Sequence, residues 1–152
     1  MLLSIELIMI QRIQTLYLTI ALLIMSVLPV FLYIWKNLEG VSVYVYDLLN
    51  TDSWYLKSLP VLFGLSVLVS LITIFKFKNR QTQFVFGRIN ILINLFILVL
   101  LVIHLQSLSG EIFISEKGIG SALPLITIVL LVLANKAIKK DEDLVKSVDR
   151  IR

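Results

Sequence analysis

The chain contains no cysteine and a single histidine, His104. The first absence excludes disulfide frameworks, thiolate metal sites and thiol redox chemistry. The second excludes a haem held by two histidines of this chain. Charge is also scarce, at 16% of 152 residues, against 59% hydrophobic residues and a mean hydropathy of +0.97. A soluble domain carries about a quarter charged residues, so the composition is that of a membrane protein. The net charge of +4 and pI near 9.4 would suit a nucleic-acid binder, but the basic residues flank apolar runs instead. Missing as well are a glycine-rich phosphate loop, paired acids for hydrolysis, and a serine or threonine with a basic partner at nucleophile spacing. These absences predict no enzyme, no cofactor, no metal and no nucleic acid.

What is present is four uncharged runs, residues 13–35, 58–75, 89–110 and 118–135. The shorter two have 18 residues, about 27 Å of helix at roughly 1.5 Å per residue, close to the hydrocarbon thickness of a bilayer. The expected fold is an all-α membrane protein, one four-helix transmembrane bundle with a cytoplasmic helical tail over 136–152. Pro29 is read as a kink or late break in the first span, and Pro124 as a residue tolerated near the start of the fourth. The first run is too long for a signal peptide and has no small-residue cleavage site after it.

Lysine and arginine give the orientation. Arg12, then Lys76, Lys78, Arg80 and Arg88, then Lys136, Lys139, Lys140, Lys146, Arg150 and Arg152 fall on one side, against Lys36, Lys57 and Lys117 on the other. Eleven against three is a strong positive-inside bias and puts both termini in the cytoplasm. In the outer loops, Val41 to Tyr46 alternates as a strand would, and Glu111 to Ser115 is similarly strand-like before the breaker Gly118-Ile119-Gly120. The two stretches can pair into a small β-cap over the bundle; the alternative is two loops lying on the interface.

Within the spans, Asn90, Asn94 and His104 form the unusual constellation. Asn94 and His104 fall about 40° to either side of Asn90 on a helical wheel, so the three share a face with Ile97 and Leu101 between them. Such a seam either lines a small-ligand or proton path or hydrogen-bonds a neighbouring helix. No carboxylate lies in any span, which favours the second. Ser66, Ser70, Thr73 and Thr127 can each satisfy a hydroxyl on the preceding turn. In the tail, Leu144, Val148 and Ile151 stack at i, i+4, i+7 among mixed charges, a strip suited to a partner's groove. The tail also predicts a Glu142–Lys146 pair.

Three segments carry a resemblance: Met9-Ile10-Gln11-Arg12-Ile13-Gln14-Thr15-Leu16-Tyr17-Leu18, Phe86-Gly87-Arg88-Ile89-Asn90, and Leu133 to Glu142 with the closing Ser147-Val148-Asp149-Arg150-Ile151-Arg152. Together they resemble a family of small four-span inner-membrane proteins of the Bacteroidota, a domain of unknown function. The resemblance implies a multi-pass protein of the bacterial inner membrane and carries no activity. Residues 1–8 precede the point where it starts, so Met9 competes with Met1 as the native initiator. The expected partners are the lipid bilayer and either a protein or a second copy of the chain. The expected function is that of a structural or interaction subunit of a membrane assembly; the alternative is a small transporter or channel component using the seam on the third span.

Overall fold

A computed structural model describes residues 2–37, 39–108 and 117–151, the side chains of residues 2–12 and 108 excepted. The elements run α1 Leu2–Ser26, α2 Leu28–Phe31, β1 Trp35–Lys36, β2 Ser42–Val43, a 3-10 helix Val45–Asn50, α3 Trp54–Phe75, α4 Arg80–Leu108, a 3-10 helix Ile119–Ala122 and α5 Leu123–Ile151. Four of the described helical segments are long and apolar enough to cross a membrane. Each contains most of one uncharged run.

The helix ends have local causes. Helix α1 stops at Ser26 and resumes as α2 with Pro29 in its first turn, the position where the missing N–H costs nothing. Helix α4 starts at Arg80, nine residues ahead of the uncharged run. Asn79 caps it: its Oδ1 accepts the Thr82 backbone N–H at 3.2 Å, satisfying a donor the helix leaves orphaned. Helix α5 runs unbroken from Leu123, with Pro124 in its first turn, to Ile151.

All four long helices bury the same pattern. The inward residues are Gln14, Leu18, Ala21 and Met25 on α1; Leu59, Phe63, Ser66, Ser70 and Thr73 on α3; Gln83, Gly87, Asn90, Asn94, Ile97 and Leu101 on α4; and Thr127, Leu131, Ala134, Ile138 and Asp141 on α5. The spacings alternate between three and four. That period of 3.5 is the signature of left-handed bundle packing. Each helix packs on two neighbours in the ring order α1–α3–α4–α5, with α5 closing back on α1. The outward faces are apolar too, with Leu16, Leu23, Val61, Leu68, Leu92, Phe96, Leu125 and Val132 all exposed. In a bundle surrounded by water those positions are polar.

One end of the bundle, here the basic end, holds the α3–α4 turn and the α5 tail. The other is capped. There β1 and β2 pair antiparallel, Trp35 opposite Val43 and Lys36 opposite Ser42, and Lys117 bridges to Trp35. Gly40, at φ 76°, makes the turn, a conformation glycine adopts without strain. The expected strand over Val41 to Tyr46 is thus shortened, because residues from Val45 onward coil into a 3-10 helix. Its partner comes from the end of the first uncharged run. The Glu111 to Ser115 stretch lies outside the described residues. Trp35, at the outer end of the first uncharged run, is 4% exposed and packs inward on His104.

Candidate functional site

The bundle core is polar over its basic half. On the α3–α4 contact, Ser66 Oγ donates to Asn90 Oδ1 at 2.7 Å, and Asn90 Nδ2 donates to Ser70 Oγ at 2.6 Å. Asn94 Nδ2 donates to Ser66 Oγ at 2.8 Å and to the Asn90 carbonyl at 2.9 Å. All four side chains are fully buried. This is a closed clasp between two helices, in which only Asn94 Oδ1 lacks a partner. Thr73 and Thr127 bond the preceding turn, at Val69 O and Leu123 O, as expected. Ser66 and Ser70 do not; they reach across to α4 instead.

The three residues of the expected seam separate. Asn90 and Asn94 share the clasp, but buried Ile97 and Leu101 follow on α4 and join Phe63 and Leu59 in one apolar cluster. His104 lies beyond that plug, at the capped end. Its ring is 4.6 Å from that of Trp35, and its Nδ1 is 3.2 Å from the Tyr55 hydroxyl. The face is continuous, as the spacing predicted, while the polarity is not. Asn94→Leu removes the Asn94 bonds to Ser66 and Asn90. It is expected to lower stability in detergent by roughly 0.6–2 kcal/mol, with the helical circular dichroism unchanged. Loss of the folded bundle would show that the clasp does more than join two helices.

Four buried polar residues nearer the basic end escaped the sequence reading: Gln14, Gln83, Asn135 and Asp141, each 6% exposed or less. Leu18 and Ala21 pack with Leu131 and Ala134, which sets Gln14 about level with Ile138. The Asn135 carboxamide lies against Gly87, one turn from Gln83. From Asn135 to Asp141 the rise is about 9 Å at roughly 1.5 Å per residue, so the group occupies one short stretch of core. Gln14 Oε1, Asn135 Oδ1, both Gln83 amide atoms and both Asp141 oxygens have no hydrogen-bond partner that meets ordinary geometry. Arg80 Nε approaches Asp141 Oδ2 at 2.7 Å as an ion pair. The set is rich in acceptors, chemistry that suits ordered water or a weakly held cation. No cluster of three or more His, Cys, Asp or Glu exists among the described residues.

Asp141 lies beyond the apolar run that ends at Asn135. Burial pushes its carboxyl above the ordinary range, and the Arg80 charge opposes that only in part. The heptad spacing of α5, 127–131–134–138–141, is the signal that would have found it. Arg80, read from sequence as a topology determinant, is therefore also a core ion-pair partner. Arg88 lies over the Phe84 ring at 4.3 Å. Lys76, Lys78, Lys136, Lys139 and Lys140 are exposed, and the Arg12 side chain lies outside the described residues. In the tail Glu142 and Lys146 pair at 2.8 Å. Of the expected partner strip, Leu144 is half-buried, while Val148 and Ile151 are 43% and 87% exposed.

The family model that matches this chain is described as a domain of unknown function, DUF4293, and covers residues 10–151. No curated protein and no solved structure matches.

Proposed function

We propose that this chain, which belongs to the DUF4293 family, is a non-enzymatic integral membrane protein serving as a structural or interaction subunit of an assembly. It would sit in a bacterial inner membrane with both termini in the cytoplasm. One observation carries the reading: the four long helices turn apolar side chains outward and their polar ones inward, where α3 and α4 bond theirs to each other. That distribution suits lipid outside and helix–helix hydrogen bonds inside. The basic end, with eleven of the fourteen Lys and Arg residues, would then face the cytoplasm. From it α5 projects a helix whose exposed strip, Val148 and Ile151 with Leu144 at its root, suits a partner's groove.

The test is co-purification from native membranes. Changing Leu144, Val148 and Ile151 together to serine is expected to leave insertion unchanged and to cost little thermal stability, because Val148 and Ile151 are exposed and only Leu144 is half-buried. The same change should release a stoichiometric cytoplasmic partner. A triple variant that retains every partner of the parent protein defeats the interaction reading.

A second reading, a transporter or channel component, has one observation in its favour: the unpartnered acceptor oxygens of the basic half. Against it, the Phe63, Leu59, Ile97 and Leu101 plug closes the core of a single chain. Solute flux in vesicles that disappears in Asn94→Leu, with the fold intact, would move it ahead.

A further inference from the structure

Helices α1 and α5 lie side by side, with Leu18 and Ala21 packed on Leu131 and Ala134. Towards the basic end this seam opens into a surface cleft of about 250 Å³, lined by Ile13, Tyr17, Leu133, Lys136, Ala137 and Lys140. Its walls divide by chemistry along the helix axis. Leu133 is an exposed apolar residue on the bundle side, with Tyr17 beside it, and Ile13, exposed and about level with the lysines, forms the facing wall. Lys136 and Lys140, one turn apart on α5 and both exposed, stand on the tail side. Each of the two lysines also lines the next cleft down the tail, with Lys139 and Asp143.

Neither lysine has an ion pair or cation–π contact among the described residues, whereas two of the three neighbouring acids are committed elsewhere. Asp141 is turned inward onto Arg80, and Glu142 holds Lys146. Asp143 lies one turn beyond Lys139 and Lys140 and repels an anion placed lower on the tail. Positive charge next to an apolar wall, bounded below by an acid, is complementary to one kind of molecule. We infer that this cleft binds an anionic phospholipid, its phosphate between Lys136 and Lys140 opposite Ile13 and an acyl chain along Tyr17 and Leu133. A free phosphate would gain nothing from the apolar wall. A diffuse polybasic attraction would draw equally on the lysines of the α3–α4 turn. The inference rests on the reading that the chain spans a membrane.

The experiment is native mass spectrometry of the detergent-solubilised full chain with phosphatidylglycerol or phosphatidylcholine added. One phosphatidylglycerol per chain is expected to be retained in preference to phosphatidylcholine. Lys136→Gln with Lys140→Gln should weaken that adduct roughly 10- to 30-fold, the loss of two lysine–headgroup attractions. Arginine at both positions should keep the adduct. Lys76→Gln with Lys78→Gln removes the same charge at the same end of the bundle and should leave the adduct intact. Equal loss in that control pair, equal retention of phosphatidylcholine, or displacement by inorganic phosphate at matched concentration would each overturn the proposal. All these lysines are exposed, so unchanged circular dichroism is expected throughout, and Lys-to-Arg retention separates loss of charge from loss of fold. Carbonate extraction of native membranes is run beside it. A chain released into the soluble fraction defeats the membrane reading on its own, whatever the adducts show.

Discussion

Arg80→Ala is expected to lower the stability of the bundle by about 3 kcal/mol, read as a reduced unfolding temperature in mild detergent. Breaking a buried ion pair by removing one partner costs roughly 3–5 kcal/mol, because the remaining charge stays buried and uncompensated. The Asp141 side chain is completely buried and the Arg80 side chain 24% exposed, so the low end of that range applies. None of Gln14, Gln83 or Asn135 stands in, since neither Asp141 oxygen is hydrogen-bonded by them. Replacing both partners together, Arg80→Met with Asp141→Leu, should recover most of the loss. An Arg80→Ala protein that melts with the parent would make the pair incidental.

The same pair gives a pH dependence with a defined sign. Burial holds the folded carboxyl above its ordinary value, so the folded state binds this proton more tightly than the unfolded chain does. Below the ordinary carboxylate range both states are protonated and the contribution is fully present. As pH rises the unfolded chain loses its proton first, and stability falls until pH passes the raised folded value. Without Arg80 the opposing charge is gone and that value climbs further. The deficit of Arg80→Ala should therefore be larger at pH 8 than at pH 5, and Asp141→Asn should abolish the difference.

Gly118→Ala should be at least as damaging, at roughly 3–5 kcal/mol. A Cβ there runs into the Tyr33 carbonyl oxygen and comes within 2.7 Å of the carbonyl carbon. The obstacle is backbone, so nothing rotates aside. The segment must lift away, and with it go the Gly118 N–H bond to Ile34 O at 2.8 Å and the Gly120 N–H bond to Tyr33 O at 3.0 Å. Those two bonds contribute about 1 kcal/mol each, and overpacking adds about 1–3 kcal/mol. Two other glycines calibrate the claim. At Gly87 the added atom meets the Asn135 carboxamide, the end of a side chain that can swing, so Gly87→Ala should cost less. At Gly64 nothing lies within 4 Å, and alanine should stabilise α3 by up to about 1 kcal/mol through helix propensity. The expected order of unfolding temperature is Gly64→Ala, then Gly87→Ala, then Gly118→Ala. A Gly118→Ala protein as stable as the Gly64→Ala one would show that the close approach of residues 117–120 to Tyr33 does not form.

Much of the architecture was legible residue by residue. Four uncharged runs became four long helices. Pro29 broke the first and Pro124 opened the last. The Glu142–Lys146 spacing produced its ion pair. The helix starts were less legible, because a run defined by absence of charge cannot extend past Arg88. Helix α4 nevertheless begins at its Asn79 cap and buries Gln83 and Gly87 on the same face as Asn90. Asp141 was hidden for a similar reason: a charged tail residue reads as solvated until its heptad partners are known to be buried.

The segments, their helical state, and the faces on which Asn90, Asn94 and the tail strip lie were all readable from the residues alone. These follow from forces acting within a few residues: capping, proline geometry, apolar periodicity. The packed bundle sets which face meets which. It set Ser66 and Ser70 against Asn90, brought Arg80 to Asp141 across 61 residues of chain, pressed Asn135 onto Gly87, and seated Trp35 on His104. Ring order and axial register arise from the summed packing of all four helices. A shift of one turn along the axis would leave every local signal unchanged while exchanging every partner.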